Sequence, residues 1–136
     1  LNCNKFLPQF NTPRWGIERN NHGHSVINTA ANECNYTNLF YSLDYLTGKI
    51  GQAGFNTDKR TRPIMLDDLS ELMFDIANNE TRGIINDTVF LNECFDFVDI
   101  DGKYQAAEGK KDDTITMWAI AFQVARGGGM PDISFV

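Results

Sequence analysis

The chain has 136 residues, enough for one domain with a real core. At 42% hydrophobic and 22% charged, with four Pro and eleven Gly, it reads as an ordinary globular protein and not as a low-complexity or collagen-like one. The formal net charge of −6 argues against a simple electrostatic nucleic-acid binder, which would carry a basic patch. It leaves room for a nuclease, because carboxylates gathered for divalent cations repel phosphate until the metals bind. No apolar run approaches the roughly 18–20 residues that cross a bilayer. No basic-then-apolar leader opens the chain, and a start at Leu1-Asn2-Cys3 reads as a fragment of a longer protein. Cys3, Cys34 and Cys94 are far apart and form no CxxC pair, so they read as free thiols in a reducing cytoplasm and not as a zinc knuckle.

Residues 1–13 are polar and close on the turn signal Asn11-Thr12-Pro13. Trp15-Gly16-Ile17 reads as a short buried strand that delivers Glu18, and Arg19 to His24 as a loop. Ser25 is placed to cap a helix reaching about Asn32, with Val26, Ile27 and Ala30 inward. Asn38 to Tyr45 is an aromatic strand. Thr47 to Phe55 is Gly-rich and reads as a loop or an irregular hairpin. Thr57 to Asn79 carries the clearest helical spacing, through Ile64, Leu66, Leu69, Leu72, Met73 and Ile76, with Pro63 in its first turn. Ile84-Ile85 is a short strand or a turn. Asp87 or Thr88 caps a short helix over Val89 to Phe95. Phe97 to Ala107 reads as a hairpin turning on Asp101-Gly102. The last helix spans about Asp112 to Ala125, and Gly127-Gly128-Gly129 starts a flexible tail over 127–136. Strands and helices in this order indicate one α/β layered domain over 1–136.

Two clusters of chemistry stand out. Glu18 ends an apolar strand, where a carboxylate is costly unless paired or metal-bound. Asn20, Asn21, His22 and His24 follow it. The second cluster is Lys110-Lys111-Asp112-Asp113, just before an apolar helix. Acids there are favoured by the helix dipole, so plain capping is the competing explanation. For Glu18 the competing explanation is a salt bridge at a strand end. His22 and His24 at a two-residue spacing in a loop read more readily as surface histidines than as ligands. Arg60 and Arg62, at the start of the long helix, are candidates for phosphate contact. The glycine run follows a helix instead of preceding one, and no GxxxxGK[ST] occurs, so the chain holds no ATPase loop.

Three segments resemble, in order, the nuclease domain of phage large terminase subunits. WGIERNNHGHSVINTA (15–30) looks like the strand that delivers a catalytic acid and the Asn-Asn-His-Gly run after it. IGQAGFNTDKRTRPIML (50–66) is similar to that family's glycine loop and the Arg that opens its helix. FDFVDIDGKYQAAEGKKDDTITMWAIA (95–121) resembles its closing hairpin, acid pair and final helix. The resemblance implies a ribonuclease H-like mixed sheet flanked by helices. It implies a two-metal Mg²⁺ or Mn²⁺ endonuclease that cuts concatemeric double-stranded DNA in the bacterial cytoplasm, with the phage portal and small terminase subunit as partners. By position, Glu18, Asp112 and Asp113 become the catalytic and metal-binding acids, with Asp113 the direct ligand. Asn20, Asn21, His22, Arg60, Arg62 and Lys111 become candidate DNA contacts.

Two departures accompany the match. Lys111 stands where the family often has His. The family's first acid lies on an opening strand upstream of the Glu strand, and nothing before Trp15 supplies it, while Asp44 comes too late in the order. The domain therefore reads as N-terminally truncated, with an incomplete metal site and an open sheet edge that invites self-association. Two other possibilities stand beside the terminase one: a catalytically incomplete fragment acting as an interaction module, and a resolvase- or transposase-type nuclease.

Overall fold

A computed structural model describes residues 9, 11–20, 22–43 and 49–126. Cys3, Asn21, Asp44 and the 127–136 tail lie outside the described residues. The fold is mixed α/β. Its described elements are α1 (Gly23–Asn28), continued by a π-helical turn over Thr29–Glu33, then β1 (Tyr41–Leu43), β2 (Ile50–Ala53), α2 (Thr61–Ala77), α3 (Thr88–Phe95), β3 (Phe97–Ile100), β4 (Lys103–Ala106) and α4 (Asp113–Arg126). The strands pair as two two-stranded antiparallel sheets, β1–β2 and β3–β4. Among the described residues, no helix is long and apolar enough to cross a membrane. The chain divides into two compact units. One takes in the described residues up to Asp58 together with those from Val124 on; the other is Lys59–Gln123.

The first unit is built around the extended segment 15–19. Its backbone pairs in parallel with two others, through bridges Trp15–Leu39 and Glu18–Phe55. Trp15 N–H donates to the Asn38 carbonyl at 2.9 Å, and Phe55 N–H donates to the Ile17 carbonyl at 2.8 Å. Ile17, Ala30, Tyr36 and Leu39 form the buried core, with Trp15, Val26, Ile27 and Ala31 packed against it. The Trp15 and Tyr36 rings meet edge-on at 5.5 Å, a favourable aromatic geometry. The Gly-rich segment resolves as the irregular hairpin, its register shifting between Tyr41 and Leu43.

The helix after Glu18 starts earlier than Ser25. It begins at Gly23, with His22 at the N-cap and no side-chain cap, so Ser25 lies inside it and the expected loop ends at His22. The reason is local crowding. A Cβ on Gly23 would collide with the Glu18 carbonyl oxygen, so only glycine lets the helix start press onto the strand end. The far end closes through Asn35 at φ 51°, in the left-handed region, which lets Tyr36 N–H reach the Ala30 carbonyl at 2.8 Å.

In the second unit, α2 buries Met65, Leu66 and Leu69. Ile64, expected inward, is 60% exposed, and Met65 at 1% takes its place. The start moves from the expected Thr57 to Thr61. At about 100° per residue Met65 shares the face of Leu66 and Leu69, and Ile64 falls outside it. Pro63 still falls in the first turn, where its missing N–H leaves no bond unmade. Asp87 is the N-cap of α3, its carboxylate accepting from Val89 and Phe90 N–H at 3.0 and 3.1 Å. Phe90 is wholly buried and packs on Trp118 at 5.7 Å. Its burial contributes about 1.5–3 kcal/mol. Ile84, placed in a short strand or turn by the sequence, is outside any regular element and 80% exposed. The β3–β4 hairpin turns on Asp101 (φ 53°) and Gly102 (φ 76°), the two positive φ values a two-residue turn of this hand needs.

Gly23→Ala tests the first unit. At an unstrained helix position alanine would gain up to about 1 kcal/mol. Here the clash with backbone outweighs that, and a net loss of about 1–3 kcal/mol is expected. Ser25→Ala should stay within about 0.5 kcal/mol, because Ser25 caps nothing. Urea unfolding of both variants checks this. A Gly23→Ala protein as stable as the wild type would show that α1 does not press on Glu18.

Candidate functional site

Glu18 leaves the paired segment at its end, half-buried. Its carboxylate accepts from Asn20 Nδ2 at 3.1 Å, and the same Nδ2 donates to the Thr57 carbonyl at 2.9 Å. Asn20 thus ties the carboxylate to a distant loop. Among the described residues Glu18 has no salt-bridge partner; the group it meets is an amide. His22 and His24 are both exposed.

The acid pair is positioned by different chemistry. Asp112 sits at the N-cap of α4, its carbonyl accepting from Thr116 N–H at 3.0 Å. Its side chain does not cap the helix. Asp112 Oδ2 takes the Arg62 guanidinium at 2.7 Å, and Arg62 also donates to Thr116 Oγ1 at 3.3 Å. The helix is capped instead by Glu93 of α3. Its Oε2 accepts from Thr114 N–H at 2.8 Å, Ile115 N–H at 3.2 Å and the Thr114 hydroxyl at 2.5 Å. Asp113, in the first turn, is exposed. Lys111 and Arg60 are exposed as well. Of the expected DNA contacts, Arg62 is therefore committed to protein partners and Lys111 faces solvent. Lys110, beside them, bonds Asp96 at 3.0 Å.

Glu93 and Thr114 are residues the sequence did not single out. A weak signal exists. Counting from Asp112 as N-cap, the third helical position is Ile115, so no capping-box Glu or Gln stands there, and the free N–H groups call for a partner from elsewhere. Asp87 makes a second tie from α3, its Oδ2 accepting from Trp118 Nε1 at 3.0 Å.

These ties perturb the carboxylates. Burial pushes Glu93 upward, but the Thr114 hydroxyl and the N–H groups of Ile115 and Thr114 outweigh it and hold the group below the usual glutamate range. The Trp118 indole N–H, then Phe90 N–H, hold Asp87 below its usual value. Burial, then the Glu93 charge, pushes the Cys94 thiol up, so it stays a thiol near neutrality. Cys34 and Cys94 are both free.

Among the described residues, no group of three or more His, Cys, Asp or Glu side chains is placed to hold a metal ion. Comparison with protein-family models, with curated proteins and with solved structures gives no match to this chain.

Both depressed carboxylates stabilise the fold only while ionised. Their contribution is fully present above the unfolded values near about pH 4 and is lost as pH falls below them. Urea unfolding followed by tryptophan fluorescence should give a lower midpoint at pH 3 than at pH 6. Glu93→Gln and Asp87→Asn should each lower the pH 6 midpoint and flatten the acid slope. A slope unchanged in both variants would mean that neither tie is made.

Proposed function

We propose that this chain is the catalytic half of a ribonuclease H-like nuclease domain of the phage large terminase type, whose parent protein cuts double-stranded DNA with Mg²⁺ or Mn²⁺. The observation that carries this is an acid at the end of a paired extended segment, Glu18, followed in sequence by an acid pair at the start of the last helix, Asp112-Asp113. Both lie within segments that resemble that family and occur in its order. The role of direct ligand goes to Asp113, whose carboxylate is exposed, while Asp112 is neutralised by Arg62. Lys111, exposed beside them, is then a phosphate contact, and Arg62 a positioning residue. The fold class beyond mixed α/β, the bacterial cytoplasmic setting and the portal and small-subunit partners all belong to this proposal.

A second possibility has its own support. It makes the isolated chain a folded interaction module; among the described residues no group of three or more His, Cys, Asp or Glu side chains is placed to hold a metal ion. Calorimetric titration of this chain with Mn²⁺ separates the two, since only a metal site binds saturably, and nicking of supercoiled DNA by the full-length parent tests the nuclease assignment itself. Mn²⁺-dependent nicking is expected, lowered about a hundredfold or more by Glu18→Ala or Asp113→Ala and less by Asp112→Asn. Nicking that persists unchanged in both alanine variants, or is absent from the parent, would sink the nuclease assignment.

A further inference from the structure

The second unit contains a feature that the nuclease proposal does not use. An open groove of about 300 Å³ runs between α2 and the β3–β4 hairpin. Its floor is apolar: Leu66, Leu69 and Ile115 are 8%, 3% and 3% exposed. One wall is aromatic. Side chains alternate across a strand, so Phe97 and Asp99 share a face of β3, and the register sets Tyr104 directly opposite Asp99. The Phe97 and Tyr104 rings stack at 6.5 Å and 16°. The rim carries charge of one sign. Asp67 from α2 and Asp99 from β3 are both exposed there, and no Lys, Arg or His lines the groove. Cys94 also lines it, as a neutral thiol.

We infer that this groove binds a small apolar organic cation, an aromatic or branched aliphatic group carrying an amine. The volume is at the low end of ligand pockets, so it fits one such group and not a larger ligand. The floor removes the apolar part from water. The ammonium would lie at the rim, where Asp67 and Asp99 supply the opposite charge, with Phe97 and Tyr104 lining the same groove. An anion of the same shape meets two like charges and gains neither contact. A neutral ligand gains nothing from the two solvated carboxylates. The charge complementarity, not the apolar floor alone, selects the ligand.

The experiment uses the full chain, ¹⁵N-labelled, and two probes of similar apolar size and opposite charge, 2-phenylethylamine and 3-phenylpropionate. The amine should shift the amide signals of Leu69, Phe97 and Tyr104 saturably at millimolar concentration. The carboxylate should bind about three- to tenfold more weakly, the discrimination two exposed charges can give, and the gap should narrow in high salt. The double variant Asp67→Asn with Asp99→Asn alters only exposed side chains and should keep the fold while levelling the two affinities. No saturable shift with the amine, equal binding of the two probes, or a preference that survives in the double variant would each overturn the inference. Binding of a Lys-Phe-Lys peptide without binding of the free amine would overturn it too, and would make the groove a peptide site.

Discussion

A helix that begins with Asp112-Asp113-Thr114 presents backbone N–H groups that something must accept, and the second unit is organised by how this is done. The acceptor is the Glu93 carboxylate, which takes two N–H groups and one hydroxyl. Charge-assisted bonds of this kind are stronger than neutral ones, and an unmet N–H in a half-buried position is costly. Because Glu93 belongs to α3, capping α4 also fixes α3 against it. Asp87 repeats the device at the other end of α3, capping its own helix with one oxygen and holding the Trp118 indole with the other. Phe90 lies between these two ties, wholly buried against Trp118. Polar ties at both ends of α3 set the direction in which its one fully buried aromatic points.

The same capping explains the state of the acid pair. An N-cap aspartate ordinarily turns its carboxylate onto the N–H groups of its own helix. With those groups taken by Glu93, Asp112 is left to pair with Arg62, and Arg62 in turn reaches Thr116 one turn along. The pairing is partly solvated, so its worth lies more in geometry than in energy. It divides two adjacent aspartates into unlike groups. One has its charge balanced by a guanidinium, and the other is exposed at the positive end of a helix.

Much of the fold was legible because its signals are local. The Asp101-Gly102 turn, the cap at Asp87 and the helices over 61–77 and 113–126 follow from turn chemistry, capping and spacing that a short window contains. What failed to show depends on a distant partner. The start of α1 at Gly23 is set by the Glu18 carbonyl beneath it, and a reader of the sequence sees Ser25, a better capping residue, two positions later. Met65 and Ile64 are both apolar, and at about 100° per residue only Met65 falls on the face that carries Leu66 and Leu69. Glu93 looks like a solvated charge on a short helix until Thr114, far along the chain, is brought to it. Similarly, the Asn20 amide becomes meaningful only with the Thr57 carbonyl in reach.

Glu18 in the first unit and Asp113 in the second are held by unlike means, and this bears on what each can do. Glu18 is steadied by one neutral amide, which leaves its negative charge uncompensated by any cation bonded to it. Asp113 lies at a helix N-terminus where two of the N–H groups, those of Thr114 and Ile115, already serve a carboxylate, so the helix end is partly neutralised before any ligand arrives. Each thus suits a cation better than an anion. A nucleic-acid role for these residues consequently requires metal as the intermediary, and the net charge of −6 points the same way. Since two metals need more carboxylates than Glu18 and Asp113 offer, the nuclease proposal stands or falls on a third acid, and the basic residues around the site are secondary to it.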